Sequence, residues 1–229
     1  YWLPPGTPKA VLLLVHGLGD HSSRFGTFVD YFTQRGFGVC ALDLRGHGKS
    51  SGTPGYVDRI GDFLADLNVF LKQVQSDFKG IKIFLVGHSM GGTLATAYVI
   101  SHPEEFTGLI VSALVLKPGD SITKVQILLA RLLSVVLPKM GIAPIETAAV
   151  SRQPAVVQAY ITDPLVYHGK ISARLGAELI NTMERDLLPR LPEITLPLLI
   201  MYGSADRLSN PAGSQLLYDK VKSTDKTIL

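Results

Sequence analysis

The stretch F-L-V-G-H-S-M-G-G at Phe84–Gly92 constrains this chain more than any other. It closes the apolar run I-K-I-F-L-V and leads into G-T-L-A-T-A-Y, a helix-compatible segment. A serine between Gly87 and Gly91, where a strand hands over to a helix, implies a tight and strained turn. Such a turn lifts the Ser89 hydroxyl clear of the sheet and points the free N–H groups of the helix start toward it. A serine hydroxyl attacks poorly near neutral pH and needs a base beside it. The competing reading is a glycine-rich turn whose serine only caps a helix.

The same strand-then-helix pattern recurs along the chain. Lys9–His16, Gly38–Leu44, Ile81–Val86, Leu109–Val115 and Leu196–Tyr202 are short apolar runs of the kind buried in parallel sheets. After Asp58, a candidate N-cap, Ile60, Phe63, Leu64, Leu67, Phe70, Leu71 and Val74 repeat at helical spacing. Ala212–Val221 also reads as a helix. Alternating strands and helices predict an α/β fold with a mostly parallel sheet, whose ligand sites gather at the strands' carboxyl ends.

The alternation breaks after Leu116. Lys117–Ile171 contains no convincing strand, so residues 1–116 and 172–229 are expected to form one core with 117–171 inserted into it. The insertion carries V-Q-I-L-L-A-R-L-L-S-V-V-L-P, apolar over most of a helical circumference, with Gln126, Ala130 and Ser134 as a weaker stripe. It reads equally as a buried core helix or as a cap helix whose outer face meets lipid.

Composition narrows the function classes. Twenty-two basic and 19 acidic residues leave a net charge of +3, without a dense basic block, which argues against nucleic acid. No stretch of about 18 uncharged apolar residues predicts a membrane span. The lone Cys40 suits a reducing compartment, and a cytoplasmic location is expected. No cofactor and no metal are expected. Both ends read as cut: the chain starts at Y-W-L-P-P-G and stops at T-D-K-T-I-L, where an apolar alternation has just begun.

Acyl transfer at Ser89 requires donors for an oxyanion. The N–H of Met90 is one candidate. The N–H of Leu18, in the turn His16-Gly17-Leu18-Gly19 after the first strand, is the other. A carboxylate to orient the base is expected late in the chain: Asp206 in Y-G-S-A-D follows the strand L-L-I-M-Y. Asp163 in T-D-P-L is the rival, although it resembles a turn residue before proline.

With H-G-L-G-D-H-S-S-R at His16–Arg24, D-L-R-G-H-G-K-S at Asp43–Ser50, G-H-S-M-G-G at Gly87–Gly92 and G-S-A-D at Gly203–Asp206, the chain resembles the monoacylglycerol lipase and lysophospholipase branch of the α/β-hydrolase superfamily. The resemblance covers nearly the whole length. It implies Ser89 as nucleophile, Asp206 as triad acid, and Leu18 and Met90 as oxyanion donors. Asp20 and Arg24 then line the alcohol side of the site, although a plain surface ion pair would account for them equally. Lys117–Ile171 becomes a helical cap over an acyl tunnel, able to rest on a membrane. The expected substrate is a lipid monoester. An amidase, a peptidase or a non-catalytic binding protein on the same fold are the alternatives.

The resemblance also exposes a gap. Its triad runs Ser, acid, His, yet no histidine follows Asp206. The six present each have another account, so the base is expected beyond Leu229 and residues 1–229 alone are expected to turn over very slowly.

Overall fold

The computed structural model describes residues 1–117 and 123–229; residues 118–122 fall within the expected insertion and lie outside the described part. Six strands form a wholly parallel sheet in the order β2-β1-β3-β4-β7-β8, comprising β1 (Val11–Val15), β2 (Gly38–Leu42), β3 (Ile83–His88), β4 (Gly108–Ser112), β7 (Leu198–Met201) and β8 (Lys226–Ile228). The helices are α1 (Gly26–Thr33), α2 (Ile60–Asp77), α3 (Met90–Ser101), α4 (Lys124–Val136), α5 (Pro154–Thr162), α6 (Ala173–Asn181) and α7 (Pro211–Lys220).

Strand β1 shows why the apolar runs are continuous rather than alternating. All five residues are buried: Val11, Leu13 and Val15 join one core cluster, and Leu12 and Leu14 join the other. Successive side chains point to opposite faces, and here both faces are covered. The larger cluster takes in Phe63, Leu67, Leu71 and Val74 of α2, the buried apolar residues of α3, and Leu217 of α7; the smaller one gathers Val29 and Phe28 of α1. Leu64 and Phe70, expected on the same stripe of α2, are half-buried at its margin.

The structure corrects three details. Helix α2 starts at Ile60 with Arg59, not Asp58, in the N-cap position. The Asp58 carboxylate instead accepts from the Tyr56 hydroxyl at 3.1 Å, while Glu178 of α6 accepts the Ile60 N–H at 3.1 Å. A distant helix therefore supplies the anionic partner that a local residue was expected to supply. Strand β4 stops at Ser112 rather than Val115, because Ala113 turns into the left-handed region with φ 50°. The segment between β4 and β7 also holds a small antiparallel pair, β5 (Gly141–Pro144) with β6 (Lys170–Ser172). These strands are short, the first contains Gly and Pro, and they pair across almost thirty residues, so no local pattern announces them.

Helix α4 answers the ambiguity of the apolar run. It lies along α6 with Ala130 and Ser134 buried, while Val125, Leu128, Leu132 and Val135 are each at least 59% exposed. The weak stripe is thus mostly the inward face. Small side chains allow close approach between helices, and the bulky residues are left outside. Thr123 caps the helix, accepting the Gln126 N–H at 3.2 Å. Among the described residues no helix is long and apolar enough to cross a membrane.

Candidate active site

Strand β3 delivers Ser89 to the carboxyl edge of the sheet with φ 53° and ψ −120°, a conformation that costs a non-glycine residue roughly 1–3 kcal/mol. The surroundings hold it there. Its N–H donates to the Ser112 carbonyl at 2.9 Å, and its own carbonyl accepts from Gly92 at 2.9 Å and Thr93 at 3.2 Å. Gly91 is obligatory, because a Cβ there would fall on the carbonyl oxygens of Val15 and His16. A Cβ on Gly17 would stand 3.1 Å from that of Ser89, so the first-strand turn and the serine turn are in contact.

Both candidate oxyanion donors border the same cavity, of about 1470 Å³. Met90 opens α3, where the first N–H groups lack intrahelical acceptors. Among the described residues the N–H of Leu18 likewise has no hydrogen-bond acceptor.

Asp206 lies in the turn after β7, its N–H bonded to the Gly203 carbonyl at 3.0 Å. Oδ1 accepts from the N–H groups of Leu208 at 2.8 Å and Ser209 at 3.0 Å. Among the described residues Oδ2 has no partner. Asp206 borders the cavity and Asp163 does not. Both Asp20 and Asp206 act on the His88 ring, favouring its protonation, which places two carboxylates within electrostatic range of the residue before Ser89. Burial outweighs them and keeps the His88 pKa low.

The remaining histidines are engaged elsewhere. His16 is fully buried, its Nδ1 2.7 Å from the Gly17 carbonyl and its Nε2 accepting the Leu44 N–H at 2.9 Å. Burial, reinforced by neighbouring His47, lowers its pKa to about 3. His47 bonds the Arg45 carbonyl, His102 stacks on Tyr98, and His168 approaches the Asp163 carbonyl. His21 Nε2 contacts Asp163 Oδ2 at 3.0 Å. Asp43 of D-L-R-G-H-G-K-S ties two loops together, accepting from the N–H groups of Ser22 and Lys49, each at 2.8 Å. Burial would raise its pKa, but these bonds outweigh that and hold it low.

Asp20 and Arg24 form an ion pair at 2.9 Å on the cavity wall, both largely shielded from solvent. Burial raises the Asp20 pKa against the opposing pull of the His21 N–H and Arg24. The Arg24 guanidinium also lies 4.8 Å from the ring centroid of Tyr160, whose phenol is pushed up to about 12, first by burial and then by Asp20. No motif marked Tyr160, in the inserted segment. The cavity lining also includes apolar residues, among them Ile127, Leu129 and Leu133 of α4, Ile142 and Val156.

A strained serine at a strand–helix turn, above a parallel sheet and facing such a cavity, coincides with a family match. Residues 6–229 fit the model of Hydrolase_4, described as serine aminopeptidase, S33. The chain belongs to this family of α/β-hydrolases. Human monoglyceride lipase is 37% identical over 229 residues, all of this chain and 75% of that protein. Monoacylglycerol lipase of Mycolicibacterium smegmatis is 34% identical over 224 residues, 98% of this chain and 80% of that protein. Among solved structures, the monoacylglycerol lipase of Paleococcus ferrophilus superposes with a TM-score of 0.88 at 34% identity, covering 98% of this chain and 85% of that one.

Proposed function

We propose that this α/β-hydrolase cleaves monoacylglycerols, or closely similar lipid monoesters, through an acyl-enzyme. In this reading Ser89 Oγ attacks the ester carbonyl while the N–H groups of Leu18 and Met90 receive the oxyanion. A base takes the serine proton and passes it to the departing alcohol oxygen. Water, activated by the same base, then adds to the acyl carbon, and expulsion of Ser89 releases the fatty acid. The base is proposed to be a histidine beyond Leu229, oriented by Asp206, because none of the six in 1–229 bonds to the Ser89 hydroxyl.

The observation that supports this best is the cavity's two characters. The apolar lining from α4 suits one acyl chain, and the Asp20–Arg24 pair, which also lines the cavity, can hydrogen-bond a small polyol without needing a charged ligand. Residues 117–171 would then act as the cap on a core of 1–116 and 172–229. The outward residues Leu128, Leu132 and Val135, edged by Lys124 and Arg131, would make peripheral contact with a membrane from the cytoplasmic side.

The test is Ser89→Ala in the full-length protein, assayed on monoacylglycerol alongside the matching di- and triacylglycerols. The parent should favour the monoester in kcat/KM, and the variant should lose about a millionfold in turnover with its circular dichroism unchanged. A variant within tenfold of the parent would remove Ser89 from the mechanism.

A further inference from the structure

The segment Asp163–His168, which borders neither Ser89 nor Asp206, is fastened to the loop that carries Leu18. The Tyr167 N–H donates to the Gly19 carbonyl at 2.8 Å. Two residues further along that loop, the His21 ring donates from Nε2 to Asp163 Oδ2 at 3.0 Å. His21 is almost wholly buried, and its Nδ1 has no partner. The contact with Asp163 is thus the one polar anchor of that ring among the described residues. Arg24 approaches the same carboxylate at 3.9 Å. Asp163 is itself fixed, because its Oδ1 accepts the Leu165 N–H at 2.9 Å.

The loop needs such support. Gly19 sits at φ 73°, with Ile145, the Tyr167 carbonyl and the Tyr160 hydroxyl packed where a Cβ would be. Its neighbour Gly17 abuts Ser89. Leu18 lies between these two glycines, so the direction of its N–H depends on what holds the loop from outside. An oxyanion donor is effective only when it is placed before the reaction, since reorienting it during the reaction forfeits the benefit.

We infer that Asp163, acting through His21, is a positioning residue for the oxyanion loop, and that the inserted segment thereby splints the reaction centre as well as covering it. The inference rests on the proposed role of the Leu18 N–H. Asp163 touches no reacting atom, and when it is removed Arg24, 3.9 Å from its carboxylate, keeps the shorter 2.9 Å pairing with Asp20. What changes is the aim of one donor, and the consequence belongs to kcat rather than to substrate binding.

The experiment compares Asp163→Ala, Asp163→Asn and His21→Ala with the parent in the full-length protein. Each is assayed for kcat and KM on a soluble p-nitrophenyl ester and for inhibition by a trifluoromethyl ketone, whose adduct with serine carries an oxyanion. Asp163→Ala should lower kcat by on the order of 10- to 100-fold with KM within about threefold, and should weaken the ketone in proportion. Asp163→Asn keeps an acceptor for the Leu165 N–H, and its amide N–H can donate to Nε2 of the other His21 tautomer, so it should recover most of the loss. His21→Ala should match Asp163→Ala. Thermal melts identify loss through unfolding, and a folded Asp163→Ala variant retaining parental kcat and ketone affinity overturns the inference. So does a loss that appears in KM alone, or one that Asn fails to restore. A parent inactive on every ester would refute the hydrolase reading itself, a result distinct from an active parent with an indifferent Asp163.

Discussion

Acid should unfold this protein in a way that can be traced to one histidine. His16 is inaccessible to solvent, and its Nε2 accepts the Leu44 N–H at 2.9 Å. Burial, reinforced by neighbouring His47, holds its pKa near 3 against about 6.5 in the unfolded chain, and protonation would also set a donor against the Leu44 N–H. The native state therefore binds fewer protons than the unfolded state between these two values, and stability falls as pH drops through that window. From pH 6.5 to pH 5.0 the loss from His16 alone comes to about 1.6 kcal/mol. His47 and His88, also lowered chiefly by burial, add slopes of the same sign. The perturbation is His16→Gln, whose amide oxygen can accept the Leu44 N–H without titrating. Urea unfolding of parent and variant, followed by tryptophan fluorescence at half-unit steps across the window, gives both slopes. The raised Asp20 carboxyl contributes in the opposite direction but equally in both proteins, so the difference isolates His16. The variant should lose about 1.6 kcal/mol less than the parent. Parallel pH profiles would show that His16 is not kept neutral by its surroundings, and the argument from the Leu44 bond would fail.

Gly91→Ala should destabilise the fold by at least about 2 kcal/mol and abolish ester hydrolysis, because the added methyl meets the Val15 and His16 carbonyls; urea titration and an ester assay check this, and a stable, active variant would contradict the close approach. Replacing Leu128, Leu132 and Val135 by serine should weaken binding to lipid vesicles while leaving soluble-ester turnover within about twofold, since exposed side chains contribute little to the fold. Serine at Leu129 and Leu133, which border the cavity, should instead reduce use of long-chain esters. Equal losses on all substrates from both sets would show that the two faces of α4 do not divide lipid contact from acyl-chain binding.

Local chemistry accounts for what could be read before any coordinates. Ser89 was legible because a strand, a glycine-flanked turn and a helix within some twenty residues admit few geometries. The parallel sheet was legible because strands covered on both faces must be apolar throughout, as β1 is. Leu18, Asp20, Arg24, Ser89, Met90 and Asp206 could all be named from turns and motifs, and the structure brings all six to one cavity. The orientation of α4 was not legible, since a helix apolar all round does not reveal which side has a partner. Only the position of α6 decides that Ala130 and Ser134 face inward. Glu178 reaching Ile60 and Asp163 reaching His21 join residues more than a hundred positions apart, and no periodicity records such pairs. Sequence dictates contacts closed within one turn or one strand-to-helix step. Contacts between elements depend on how the sheet stacks its crossovers, and that is settled only when the whole chain packs.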